Sequence, residues 1–183
     1  MKKHPESRLF LSITMFYLFA AACLMPITSL RQAAAQNAAD SIMHAPEASK
    51  MLPPSVYFRG QSAPIQGRNS AGVKYADANF TFATLVDNSG YSTAIAAKYQ
   101  GYLLTEVPLD VAGQALQPGA YGFGFIADNK FVIQDIGAHD LLTATSTRDE
   151  QLRPAVPLQI KADSAAGKYR LYAGRNYIVF SRK

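Results

Sequence analysis

The sequence predicts an all-β fold: an antiparallel β-sandwich or a small β-barrel of about eight strands, with an N-terminal signal helix and short helical turns. Segments in which apolar and polar residues alternate recur through the second two thirds of the chain, separated by Gly, Pro, Asn and Asp. This alternation is typical of strands that bury one face. A second layer has to cover that face, which leads to a sandwich or a barrel.

The individual strands follow from β-forming composition and alternation. Residues 79–86 place Phe80 and Phe82 on one face. The other predicted strands are residues 56–59, 73–75, 102–107, 120–126, 130–135, 156–161, 169–172 and 177–181. Turn-forming residues at 127–129 and 173–176 predict two hairpins. Helix is expected only at residues 92–99 and 147–152.

The first 35 residues have the composition of an export signal. Lys2 and Lys3 precede an apolar run over residues 9–25, and Ala33-Ala34-Ala35 supplies small residues for a signal peptidase. Cleavage after Ala35 would leave a chain that begins at Gln36. The run is close to the length that spans a bilayer, so an uncleaved anchor is the alternative.

Cys23 supports a second interpretation of the same segment. Ala20-Ala21-Ala22-Cys23 resembles the end of a bacterial lipoprotein signal, although such signals usually carry Leu where Ala20 stands. The resemblance implies lipidation at Cys23, which would anchor the protein to a membrane. Otherwise Cys23 is a small apolar residue of a discarded segment.

Cleavage would also change the composition. It would remove four of the 18 basic residues and one of the 13 acidic residues, lowering the net charge from +5 to +2, together with the single cysteine. The remaining basic residues are scattered, which argues against nucleic acid as a partner. Residues 36–54 are rich in Ala and Pro and are expected to be a flexible tether. Residues 55–183 are expected to form a single β domain.

Residues 118–125 form the most regular pattern of the chain. Pro118-Gly119 predicts a turn, after which Tyr121, Phe123 and Phe125 share one strand face and Gly122 and Gly124 share the other. The aromatic face is a candidate ligand surface for a sugar ring or a lipid. The alternative is that the aromatic residues are core and that the glycines make room for a crossing strand or a neighbouring ring.

The segment 111–121 resembles a turn-and-strand pattern, G-x-x-L-x-x-G-x-Y, found in small exported bacterial β-sandwich proteins of unknown function. Here the pattern is carried by Gly113, Leu116, Gly119 and Tyr121. The resemblance implies a β-sandwich in the cell envelope, and it brings no catalytic residues.

His139 is the only histidine of the predicted β domain, and Asp135 and Asp140 lie near it. A carboxylate could orient its ring for catalysis or join it as a metal ligand. A zinc site would need further ligands such as Asp87 or Glu106, and a triad would need a serine, for which Ser89, Ser92 and Ser146 are the candidates. The alternative is a polar turn. No metal or other cofactor is expected.

Arg170 and Tyr172 are expected side by side on one face of their strand. An arginine stacked beside a tyrosine could bind a carboxylate or a sugar, and the alternative is an ordinary solvated sheet face.

Three functions follow from these features. The preferred one is a non-enzymatic envelope or secreted protein, periplasmic if retained there, that binds a partner protein, a glycan or a small apolar ligand through an aromatic-lined β surface. The second is a hydrolase or isomerase centred on His139. The third is a lipid-anchored structural or carrier protein held by Cys23, since only the N-terminal segment could contact a membrane.

Overall fold

The computed structural model describes residues 39–183. The expected signal with Cys23, and the start of the expected tether, lie outside the described residues. Within the described part of the chain, no helix has the length and apolar character needed to cross a membrane.

The described residues form strands with two short helices. The elements in chain order are β1 Ser41–Met43, α1 Ala45–Met51, β2 Ser55–Phe58, β3 Gln61–Lys74, β4 Phe80–Val86, α2 Thr93–Ala96, β5 Gly101–Thr105, β6 Leu109–Val111, β7 Gln114–Leu116, β8 Gly119–Ile126, β9 Lys130–Gln134, β10 Asp140–Thr145, β11 Thr147–Arg148, β12 Leu158–Ala162, β13 Lys168–Ala173 and β14 Asn176–Arg182.

These strands make two antiparallel sheets. The large sheet has the order β1-β3-β4-β5-β8-β9-β10, with β2 also paired to β3. The small sheet has the order β12-β13-β14-β6-β7, with β11 also paired to β14. The predicted all-β antiparallel fold is confirmed. Residues 39–183 leave both sheets open, so the alternative of a small closed barrel is wrong for this part of the chain.

One hydrophobic core takes side chains from both sheets. Val73, Leu103 and Phe123 of the large sheet belong to the same buried cluster as Leu171 and Phe180 of the small sheet. Alternate residues of each strand face this cluster, because successive side chains point to opposite faces. On β8 the aromatic side of the alternation faces this shared interior, whereas on β4 Phe80 and Phe82 face the outer side, together with Ala48 of α1.

The outer face of the large sheet is also covered. Helix α1 buries Ala48 against Phe82, and the segment around α2 and β2 buries Tyr99 and Phe58. The large sheet is therefore buried on both faces over much of its area. This explains how a strand such as β8 can be buried at four consecutive positions, residues 121–124.

Both predicted hairpins are confirmed, as β8-β9 and β13-β14. Two other expectations need correction. Residues 147–152 do not form a helix, because Thr147 and Arg148 pair with β14 instead. The expected tether contains β1 and α1, because β1 pairs with β3 and Asp40 accepts hydrogen bonds from the Ala76 N–H, at 2.9 Å, and from the Tyr169 hydroxyl, at 2.7 Å.

Candidate ligand-binding cleft

The aromatic row of β8 lies in the core. Phe123 is fully buried and Tyr121 is 9% exposed, and Phe125 packs against the same cluster from its margin. Phe131 of β9 contacts this row, with its ring centroid 5.9 Å from that of Phe123 and 4.9 Å from that of Phe125. The expectation that this face is a ligand surface is therefore corrected: these side chains form the interior between the sheets.

The glycine face of β8 is occupied by other parts of the chain. Phe58 and Tyr99 stack with ring centroids 3.7 Å apart, and a Cβ at Gly122 would lie 2.5 Å from Cε2 of Phe58. A Cβ at Gly124 would clash with the carbonyl oxygen of Lys98. The absent side chains therefore permit the close approach of the chain's own backbone and rings.

His139 lies in an exposed turn before β10. Its side chain is 80% exposed, and Nδ1 lies 2.9 Å from Oδ2 of Asp135. The same carboxylate accepts the backbone N–H groups of Gly137 and His139, and the bonds from His139 lower the pKa of Asp135. Asp140 is bound elsewhere, to Lys98 and Gln134. These contacts are those of a turn stabilised by its carboxylate.

Within residues 39–183, none of the other proposed partners makes a hydrogen bond or an ion pair with the His139 side chain. The Asp87 carboxylate accepts the Ser89 N–H, and the Glu106 carboxylate accepts the Phe80 N–H. Ser146 follows β10 whereas His139 precedes it. No group of three or more His, Cys, Asp or Glu side chains in residues 39–183 is placed to hold a metal ion.

Arg170 and Tyr172 do lie together, as predicted. Tyr169 and Leu171 of β13 face the core, so Arg170 and Tyr172 occupy the opposite face, which is the outer face of the small sheet. The Nη1 atom of Arg170 lies 3.5 Å from the Tyr172 hydroxyl, and its guanidinium carbon lies 4.7 Å from the ring centroid of Tyr177. Arg170 Nε donates to Oδ2 of Asp163 at 2.5 Å.

A cleft of about 430 Å³ opens beside this cluster. One wall is the loop that starts at Asp149, whose Oδ2 accepts the Tyr172 hydroxyl at 3.1 Å. Arg153 holds this loop together by donating from Nη1 to the carbonyl oxygens of Glu150 and Leu152. Lys161 of β12, directly opposite Arg170 in the sheet register, lines the cleft as well.

The electrostatics of the cluster follow from these contacts. The Ala165 N–H and the Arg170 guanidinium lower the pKa of Asp163 to about 2. Hydrogen bonds to Tyr172 and Asp163 raise the pKa of Arg170, and burial raises the pKa of Tyr172. Arg170 and Asp163 are therefore an ion pair at neutral pH, beside a neutral phenol.

Four residues of this cluster were not predicted as site residues from the sequence: Asp149, Lys161, Asp163 and Tyr177. Tyr177 had a local signal, because a hairpin with a two-residue turn at Gly174 and Arg175 pairs Tyr172 with Tyr177. Lys161 follows from the register between β12 and β13. Asp149 and Asp163 come from loops that fold back onto the sheet, and their local sequence carries no such signal.

Searches against protein-family models, curated proteins and solved structures found no match to this chain. The functional interpretation of the cleft is accordingly built on its geometry.

Proposed function

We propose that residues 39–183 form a β-sandwich domain of an exported, non-enzymatic protein that binds a small ligand in the cleft beside Arg170 and Tyr172. The aromatic row of β8 is buried, and the cleft on the outer face of the small sheet is the surface that supports this proposal. Ligand sites are usually concave and have a few convergent polar groups.

The observation that carries the proposal is the fixed guanidinium of Arg170. Asp163 binds its Nε, Tyr172 lies at its Nη1, and the ring of Tyr177 lies under its plane. A side chain held in this way has already lost its rotamer freedom, so a ligand that binds it meets a smaller entropic cost. The Arg170 side chain is half-buried by these contacts, which fix the direction of its guanidinium beside the cleft.

A ligand screen on the domain tests this function. We expect sugars and organic acids from a small-molecule library to include a compound that raises the melting temperature of the wild-type domain. Arg170→Lys should abolish that increase, because lysine keeps the charge but loses the planar fork and the stacking on Tyr177. Arg59→Lys, an exposed position beside β2, is the matched control and should behave as wild type.

Two results would contradict the proposed function. One is a library without any compound that stabilises the wild-type domain. The other is stabilisation that persists at full strength in Arg170→Lys.

Export is proposed from the sequence of residues 1–35 alone. Intact mass of the mature protein tests it, and a product that begins at Gln36 supports cleavage by signal peptidase. A mass that fits an acylated Cys23 at the N-terminus would instead support the lipid-anchored carrier. A full-length product in the cytoplasm would contradict export.

A further inference from the structure

We infer that the ligand of the cleft is a monosaccharide-sized compound that carries a carboxylate, such as a hexuronic acid. This inference rests on the proposed function, because it names the class of ligand for the same cleft. It is carried by the arrangement of charge around Arg170 and by the burial of the aromatic rings there.

The first observation is a pair of like charges. Lys161 and Arg170 stand directly opposite each other on β12 and β13 and point to the same outer face. Like charges in directly opposed positions destabilise a sheet. Lys161 makes no ion pair with any residue in the range 39–183. Asp163 already neutralises Arg170, so an anion bound beside this pair would supply the missing counter-charge of Lys161.

The second observation concerns the N–H groups of the two arginines. Within the described residues, Arg170 donates through Nε and Nη1 alone, and Arg153 donates through Nη1 alone. Each guanidinium carries five N–H donors. The Nη2 groups make no hydrogen bond within residues 39–183, and a carboxylate can accept two parallel N–H bonds from a guanidinium.

Of the two neighbouring acids, Asp163 orients Arg170, whereas Asp149 holds the Tyr172 hydroxyl and its own loop. Asp163 accepts bonds from the Ala165 N–H and the Ser164 hydroxyl as well as from Arg170. Asp149 accepts the Tyr172 hydroxyl and the Gln151 N–H. Arg153, Lys161 and Arg170 line the cleft with Asp149, and Asp163 beside it neutralises Arg170, so the surroundings of the cleft carry one more positive than negative charge.

The third observation excludes a sugar held mainly by stacking. Tyr172 is 2% exposed, and Arg170 covers the face of the Tyr177 ring. Tyr172 is buried and Tyr177 does not line the cleft, so charge is what the cleft presents to a ligand. The cleft volume, about 430 Å³, lies at the lower end of the range for small-molecule sites and suits a single sugar ring.

Isothermal titration calorimetry on the wild-type domain at low ionic strength tests the inference. The probes are galacturonate and glucuronate, each matched with its neutral sugar, galactose and glucose, and inorganic phosphate is a further probe. We expect each uronate to bind at least about tenfold more tightly than its neutral counterpart and than phosphate. The affinity should fall as salt is added, because both partners are charged at an exposed site.

Lys161→Gln should weaken uronate binding about tenfold, the effect of losing one hydrogen bond to a charged group. Lys130→Gln, an exposed lysine of β9 in the large sheet, is the matched control and should leave the affinity unchanged. Both positions are exposed, and thermal melts of the two variants will show that each retains its fold.

The outcomes separate this inference from the proposed function. Equal binding of galactose and galacturonate, both dependent on Arg170, would overturn the inference and keep the cleft as a binding site. Phosphate that binds as tightly as a uronate would overturn the assignment of the ligand as a sugar acid. A Lys161→Gln variant with unchanged uronate affinity would overturn it as well. Failure of the proposed function is a different result: no compound of the wider library would bind the cleft at all.

Discussion

The outer faces of the two sheets differ in what covers them. On the large sheet, α1 packs against Phe82, and the stacked rings of Phe58 and Tyr99 fill the space above Gly122. On the small sheet, the loop that starts at Asp149 covers Tyr172 and leaves a cleft beside Arg170. The most aromatic strand face is therefore structural, and the charged face is the one that we propose as the ligand surface.

The residue types explain this difference. Glycine rows allow rings and backbone to approach a sheet closely, and the apolar surface that they bury stabilises the fold. Arg170 and Lys161 cannot be buried in this way, because an ion loses its hydration when it leaves water. Their face of the small sheet therefore stays in contact with solvent.

The largest expected effect is that of Phe123→Ala, which tests the structural half of the comparison. Phe123 is fully buried between the sheets, so its truncation should lower the free energy of unfolding by about 3–5 kcal/mol. Urea denaturation measures this change. Leu141→Ala, at a side chain that is 53% exposed, is the control and should cost under about 0.5 kcal/mol. A Phe123→Ala variant of wild-type stability would contradict the assignment of β8 to the core.

Gly124→Ala tests the glycine face and should have the next largest effect. Its Cβ would meet the Lys98 carbonyl, a backbone atom that cannot rotate away, so we expect a loss of about 1–3 kcal/mol in thermal or urea unfolding. At Gly90 a Cβ would lie 3.9 Å from Oε1 of Gln61, so Gly90→Ala should be close to neutral. Equal stabilities of the two variants would show that β8 does not need its glycine.

Acid should remove the stability that the Asp163 carboxylate contributes to the small sheet. The native pKa of Asp163 is lowered to about 2 by the Ala165 N–H and by Arg170, so its contribution to stability is present above the unfolded pKa. That contribution should be lost as the pH falls from about 4 toward 2. Melting temperatures of the wild type and of Asp163→Asn should therefore converge over this interval. A constant difference across the whole interval would contradict the ion pair with Arg170.

The smallest expected effect is that of His139→Ala. The side chain is 80% exposed and contacts Asp135 in a turn, so we expect a change in unfolding free energy within about 0.5 kcal/mol. Ligand binding measured by calorimetry should be unchanged. A loss of binding with the fold intact would contradict the site at Arg170 and would indicate a functional site in the turn before β10.

Strands with strong alternation of apolar and polar residues could be predicted from sequence. Strands that form because a neighbouring strand offers backbone pairing could not. Residues 79–86 alternate and form β4 almost as expected. β3 is rich in Gly, Ser, Asn and Gln, and it becomes a strand because β1 and β4 pair with it on either side. Likewise β11 exists because β14 offers it a partner. β6 and β7 had only a partial signal, because both residues of their turn have positive φ angles and Gly113 suits that conformation whereas Ala112 does not.

The site was predictable in part for the same reason. Arg170 and Tyr172 are two residues apart on one strand, and period-2 geometry alone brings them together. Asp163 lies in the loop between β12 and β13, and Asp149 in the loop after β11. Their position depends on how those loops fold onto the sheet, which no local pattern encodes.

The most direct test of the account is amide chemical-shift mapping of the domain during titration with galacturonate. The account predicts that the shifted amides cluster at Lys161, Arg170, Tyr172 and Arg153, with those of β8 unchanged. Shifts centred on Phe123 and its neighbours in β8, or no shifts in the outer face of the small sheet, would contradict it.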